Sequence, residues 1–211
     1  MLNHSEPLRL SSHKPLSHGS ESTVYYYPEN PDWLVKVMVP SRQNAGKDKA
    51  KKWYKRFRRD QTHRYALRQV NEYLSYQYRG KSHLRIFADF VGFVETDLGF
   101  GLVVQRVQNF NGETSETLEE VVRREGITPD ILEIIDTYCA ILSEHQIVMV
   151  DIRARNLMVV VAENGQRRLV AIDSFGERNL IPMATNIKWW NTRHIQRHRQ
   201  QLMDELARLA L

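Results

Sequence analysis

The sequence predicts an α+β protein of two lobes, a small antiparallel-sheet lobe followed by a reduced, mainly helical one. Three observations predict it. Strand signals dominate the first half and helix signals the second, with the change near residues 105–114. A lone cation, Lys36, sits in the middle of an apolar strand pattern. Asp151 and Asn156, five residues apart, are followed seventeen residues later by Asp173, with a hairpin signal at Asn164-Gly165 between them. The lobes are expected at residues 1–107 and 108–211, the first carrying an insertion at about 42–64.

Residues 8–40 are strand-rich. A small-residue turn at 16–22 leads into the β-prone run Thr23-Val24-Tyr25-Tyr26-Tyr27, and a second strand, 33–39, is ended by Pro40. A helical pattern over 65–78 puts Val70, Tyr73, Leu74 and Gln77 on one face. Strands at 86–95 and 101–107 flank a turn at Asp97-Leu98-Gly99. Thr117 caps a short helix through a capping box with Glu120, and Gly126 stops it. Thr128-Pro129-Asp130 opens a longer helix to His145, whose apolar stripe is Ile131, Ile134, Ile135, Tyr138, Ile141 and Leu142. Strands at 157–161 and 168–172 form the hairpin, and a last helix runs from about 189 to 211.

With 42% hydrophobic and 26% charged residues, the 211-residue chain has the balance of a soluble globular protein. It contains neither an apolar run of membrane-spanning length nor a signal-peptide core. Its single cysteine, Cys139, fits a reducing compartment, so a cytoplasmic location is expected, with the inner-membrane periphery as a variant. The net charge of +5 is uneven. Residues 42–68 hold eleven Lys/Arg against two acids, leaving the remainder net acidic. A polyanionic partner, whether an anionic membrane surface or a nucleic acid, is expected at this segment, where Trp53, Tyr54 and Phe57 interleave with the cations. A solvated basic insertion is the competing reading.

The candidate chemistry begins with Ser17, Gly19, Ser22 and Val24, the outline of a phosphate-cradling loop with only its middle glycine. Lys36 follows on the next strand, where a cation among apolar residues requires a partner. In kinase-like phosphotransferases such a Lys holds the α/β-phosphates of ATP and pairs with a helical Glu, here Glu72. Asp151 then has the place of the base that takes the acceptor hydroxyl's proton, and Asn156 and Asp173 those of the Mg²⁺ ligands. Arg153 sits where a cation touches the transferring phosphate. His194 and His198, at helical i, i+4 spacing, lack a third metal ligand in the pattern and read as solvated, so no stable metal cluster is expected.

The stretch from Ile172-Asp173-Ser174-Phe175-Gly176 to Thr185, and Val94-Glu95-Thr96-Asp97-Leu98-Gly99-Phe100-Gly101, resemble the YrbL family of PhoP regulatory network proteins. The resemblance runs over roughly residues 8–190. It implies a bilobal protein-kinase-like fold, and expression under a magnesium- and envelope-stress regulator in related bacteria, but it supplies no substrate. Three departures from the kinase pattern stand out. Met149-Val150 replaces the His-Arg before the base, Asp173-Ser174-Phe175-Gly176 is one residue longer than D-F-G, and the thirty-five residues after Gly176 contain no A-P-E. Control by a phosphorylated activation loop and Phe-switching are therefore not expected, and the reduced second lobe suits a small-molecule or envelope-glycolipid acceptor better than a protein.

The expected function is ATP- and Mg²⁺-dependent phosphotransfer to an unidentified acceptor. Two alternatives stand beside it: a pseudokinase-type signalling protein without phosphotransfer, and a membrane- or RNA-binding regulator acting through residues 42–68.

Overall fold

A computed structural model describes residues 6–19, 22–38, 64–147, 149, 151–173 and 188–210. Segments 39–63 and 174–187 lie outside the described residues, and with them most of the basic stretch and Ser174-Phe175-Gly176. The fold is mixed α+β, with two antiparallel sheets and, among the described residues, four α-helices. No described helix is long and apolar enough to cross a membrane. Contacts group the chain into two compact units, Met1–Leu67 with Asp89–Arg106, and Arg68–Ala88 with Val107–Leu211.

The first unit is built on a five-stranded sheet. Its strands β1 (Ser17–His18), β2 (Ser22–Tyr27), β3 (Asn30–Met38), β4 (Phe90–Thr96) and β5 (Gly99–Gln105) run in the order β1-β2-β3-β5-β4. Side chains alternate across the pleat, so one face carries Tyr25, Tyr27, Val35, Val37, Val94 and Val103 into a core closed by Leu8 and Leu10. The chain before β1 is stitched to the β4–β5 turn. Leu8 N–H donates to the Glu95 carbonyl at 2.8 Å, and Asp97 accepts from Leu10 N–H at 2.7 Å and from the Ser11 hydroxyl at 2.5 Å. The Ser11 and Leu10 donors hold the Asp97 carboxyl below its ordinary range.

The second unit packs helices on a three-stranded sheet. After α1 (Arg64–Tyr78), which groups with this unit from Arg68 on, come β6 (Glu116–Thr117), α2 (Leu118–Glu125), α3 (Pro129–Glu144), β7 (Leu157–Val161), β8 (Arg167–Ala171) and α4 (Lys188–Leu209). The expected helix starts are present. Thr117 Oγ1 and the Glu120 carboxylate form the reciprocal capping box of α2, and Thr128 caps α3 with Pro129 at its first position. The α3 stripe is buried from Ile131 to Leu142 with Cys139 added, and only Ile141 lies at its edge. β7 and β8 pair from Leu157↔Ala171 to Val161↔Arg167, with the turn at Gly165 in the left-handed region (φ 79°).

Two expectations are corrected. Ile86, Phe87 and Ala88 do not begin β4; they are buried in the second unit, where Phe87 bridges Ala171, and Ala88 N–H and Ala171 N–H bond back and forth between the segments. Leu74 does not lie inward on α1. The buried positions are Ala66, Gln69, Val70 and Tyr76, which leaves Leu74 54% exposed. The helix turned its inward face toward a core centred on Tyr76 and Phe87, whose rings meet edge to face at 5.3 Å. Of the expected face, Val70 is buried, Tyr73 packs against this core and Gln77 is half-buried, so only Leu74 departs from it.

Candidate functional site

Five expected nucleotide-side residues belong to the first unit. Ser17 pairs with Val24 across β1 and β2, and the loop is closed by Gly19 N–H donating to the Ser22 carbonyl at 2.8 Å. A Cβ on Gly19 would stand 3.1 Å from that oxygen, a tight approach that a glycine avoids. Lys36 faces Val24 on one side and Leu102 on the other. Directly opposed residues share a face, so Lys36 points away from the Val35/Val37 core, yet it is only 5% exposed. Glu72 groups with the second unit, half-buried on α1, and its charge partly opposes the fall that burial and Arg79 impose on the Lys81 ammonium.

The acid–base and metal candidates all lie in the second unit. In the loop before β7, Ile152, Ala154 and Leu157 are buried while Arg153 and Arg155 are exposed. The apolar residues pin the loop to the core and leave Asp151 and Asn156 partly open. Arg153 Nε bonds both Asp151 oxygens, at 2.9 and 3.1 Å, and this hydrogen bond with the carboxylate's charge raises the guanidinium pKa. Met149 is fully buried beneath the Tyr138 hydroxyl.

Asn156 and Asp173 are brought together by the hairpin. Its last ladder pair is Leu157↔Ala171, and Ile172 N–H then donates to the Asn156 carbonyl at 3.0 Å. Asp173 is the next residue, so the backbone puts both candidates at the same end of the hairpin. Both are hard oxygen donors of the kind Mg²⁺ takes. A residue that the sequence reading missed joins them: Gln69 of α1, 3% exposed, donates Nε2–H to Asp173 Oδ1 at 2.5 Å. The available signal was its position three residues before Glu72, on the same helix face.

His194 and His198 are only partly solvated, which narrows the expectation. Both are half-buried on α4, with ring centroids 4.3 Å apart and Nε2 atoms at 3.1 Å. Burial holds His198 below its usual pKa, opposed by Asp151 and Gln201 and aided by Arg197 and Arg153. Ile195, Leu202 and Leu206 are buried on the inner side of α4.

Comparison with known proteins agrees with the resemblance. The family described as PhoP regulatory network protein YrbL matches residues 8–207. The chain is 25% identical over 185 residues to the uncharacterized protein YrbL of Escherichia coli (strain K12), covering 86% of this chain and 80% of that protein. The Shigella flexneri protein of the same name matches to the same extent. With a match spanning nearly its whole length, the chain belongs to the YrbL family of PhoP regulatory network proteins.

Proposed function

We propose that the protein is an ATP- and Mg²⁺-dependent phosphotransferase with a bilobal, kinase-like fold. What supports the reading is the Ile172 N–H to Asn156 carbonyl hydrogen bond, which brings the Asn156 backbone next to the residue before Asp173, at the end of the loop bearing Asp151. In this reading Asn156 and Asp173 hold magnesium, and Lys36, positioned by Glu72, holds the α/β-phosphates over the loop of Ser17, Gly19, Ser22 and Val24. Magnesium held by Asn156 and Asp173 would supply positive charge to offset that of the transferring phosphate. Asp151 accepts the proton of an acceptor hydroxyl, and Arg153, already at its carboxylate, turns to the transferred phosphate. The chemistry fits a cytoplasmic protein with a single buried thiol.

The test is nucleotide-dependent thermal stabilisation at millimolar ATP with and without Mg²⁺. The wild type is expected to gain stability with the pair, whereas Asp173→Ala and Asn156→Ala gain little from adding Mg²⁺. A wild type that gains nothing from nucleotide sinks the proposal.

A pseudokinase reading is favoured by one feature. Both key carboxylates already carry donors, Arg153 on Asp151 and Gln69 on Asp173. ATP turnover or autophosphorylation lost in Asp151→Ala decides for the enzyme; binding without turnover decides for the pseudokinase.

A further inference from the structure

We propose that His194 and His198 form a two-imidazole site for a borderline divalent cation, of the class of Zn²⁺, Ni²⁺, Co²⁺ or Cu²⁺. The site uses nitrogen donors, unlike the oxygen donors of Asn156 and Asp173, and does not depend on phosphotransfer.

The geometry carries it. The Nε2 atoms face one another at 3.1 Å, with the rings at 71°. With metal–nitrogen bonds of about 2.0–2.1 Å, that separation corresponds to a ligand–metal–ligand angle of about 95–100°, between the octahedral and tetrahedral values. Residues at i and i+4 lie one turn apart on one face, so the two rings share a single cation with no change in the helix.

The helix is also held in place around the pair. Asn191, fully buried, donates Nδ2–H toward the carbonyls of Leu142 and Ile147 at 3.4 Å each. Ile195 and Leu202, each 1% exposed, fix the same side of α4 in the core. The ligating side chains therefore project from a rigid element, which lowers the ordering cost of binding.

Among the described residues no group of three or more His, Cys, Asp or Glu is arranged to hold a metal. The site accordingly has two protein ligands, with water completing the shell. Imidazole pairs select transition cations over Mg²⁺ and Ca²⁺, which take oxygen.

The test is calorimetric titration of the metal-stripped full chain with ZnCl₂ and NiCl₂ in phosphate-free buffer. Wild type and His13→Ala are expected to show one saturable site of equal affinity. His194→Ala and His198→Ala are expected to lose at least about tenfold, since even outer-shell partners of ligands are worth about 10–100-fold. Should either variant fail to fold, imidazole ¹⁵N shifts of the wild type give the answer, with Nε2 of both rings moving together on adding Zn²⁺. Absence of saturable binding, unchanged affinity in the folded variants, or unmoved Nε2 resonances overturns the site. Each of those results would leave the pair as an Nε2–H···Nε2 hydrogen bond between rings.

Discussion

Gln69 and Asp173, 104 residues apart in sequence, meet through a 2.5 Å hydrogen bond from the Gln69 amide to Asp173 Oδ1. The donor is buried at 3% exposure, so the bond is shielded from competing water. It ties α1 to the segment after the β7–β8 hairpin and occupies one lone pair of a proposed magnesium ligand. On the proposed reading, stability and metal affinity would draw on the same oxygen.

Gln69→Leu is expected to cost about 1.5–3 kcal/mol, the usual range for a hydrogen bond to a charged group, because the volume is kept and the donor removed. Urea unfolding should show a lower midpoint with an unchanged slope. If Gln69 and magnesium compete for Oδ1, the further gain on adding Mg²⁺ with ATP should be at least as large as in the wild type.

Gly101 on β5 has no room for a side chain. A Cβ there would stand 2.6 Å from Val35 Cγ1 and 3.3 Å from Val94 Cγ1, and both valines are sealed in the first core. Gly101→Ala is expected to destabilise by about 1–3 kcal/mol through overpacking. Chemical denaturation measures the loss, and the compensating Val35→Ala change should recover part of it.

Local rules explain what the sequence disclosed. Thr117, Glu120, Thr128 and Pro129 act within one helical turn, and all took their expected roles. The β7–β8 hairpin was readable from Asn164-Gly165 for the same reason. What stayed hidden depends on partners far away in sequence. Gln69 is polar on a helix, and only the fold brings Asp173 to it. Residues 86–88 have strand composition, but their backbone partner is Ala171. His194 and His198 showed their spacing, whereas their burial depended on which side of α4 the core took.

Cys139 should be chemically quiet in the folded chain. It is 7% exposed, and burial, with a smaller push from Asp136 against a pull from Arg199, raises its thiol to about 11. The thiolate fraction near neutral pH is then roughly a hundredfold below that of a free thiol. A disulfide-exchange reagent at pH 7.5 should react slowly with native protein and rapidly in urea.

Arg167 and Glu125 give the acid dependence of the second unit. Arg167 Nη1 and Nη2 bond the two Glu125 oxygens at 2.8 and 3.2 Å, and Arg124 approaches one of them at 2.7 Å. The Arg167 hydrogen bond chiefly holds the Glu125 carboxyl below its ordinary range. A carboxyl depressed on folding contributes stability that is fully present above its unfolded pKa, about 4.3, and is lost as pH falls through the lower folded value. Arg167→Met should therefore cost about 1 kcal/mol at pH 7, since the pair is mostly but not wholly shielded. That deficit should shrink steadily below about pH 4, where Glu125 protonates in the wild type as well. Urea midpoints of both proteins between pH 7 and 3 measure it. A deficit that stays constant across that range would mean Arg167 stabilises the unit through packing of its alkyl chain, and the charge pairing with Glu125 contributes nothing.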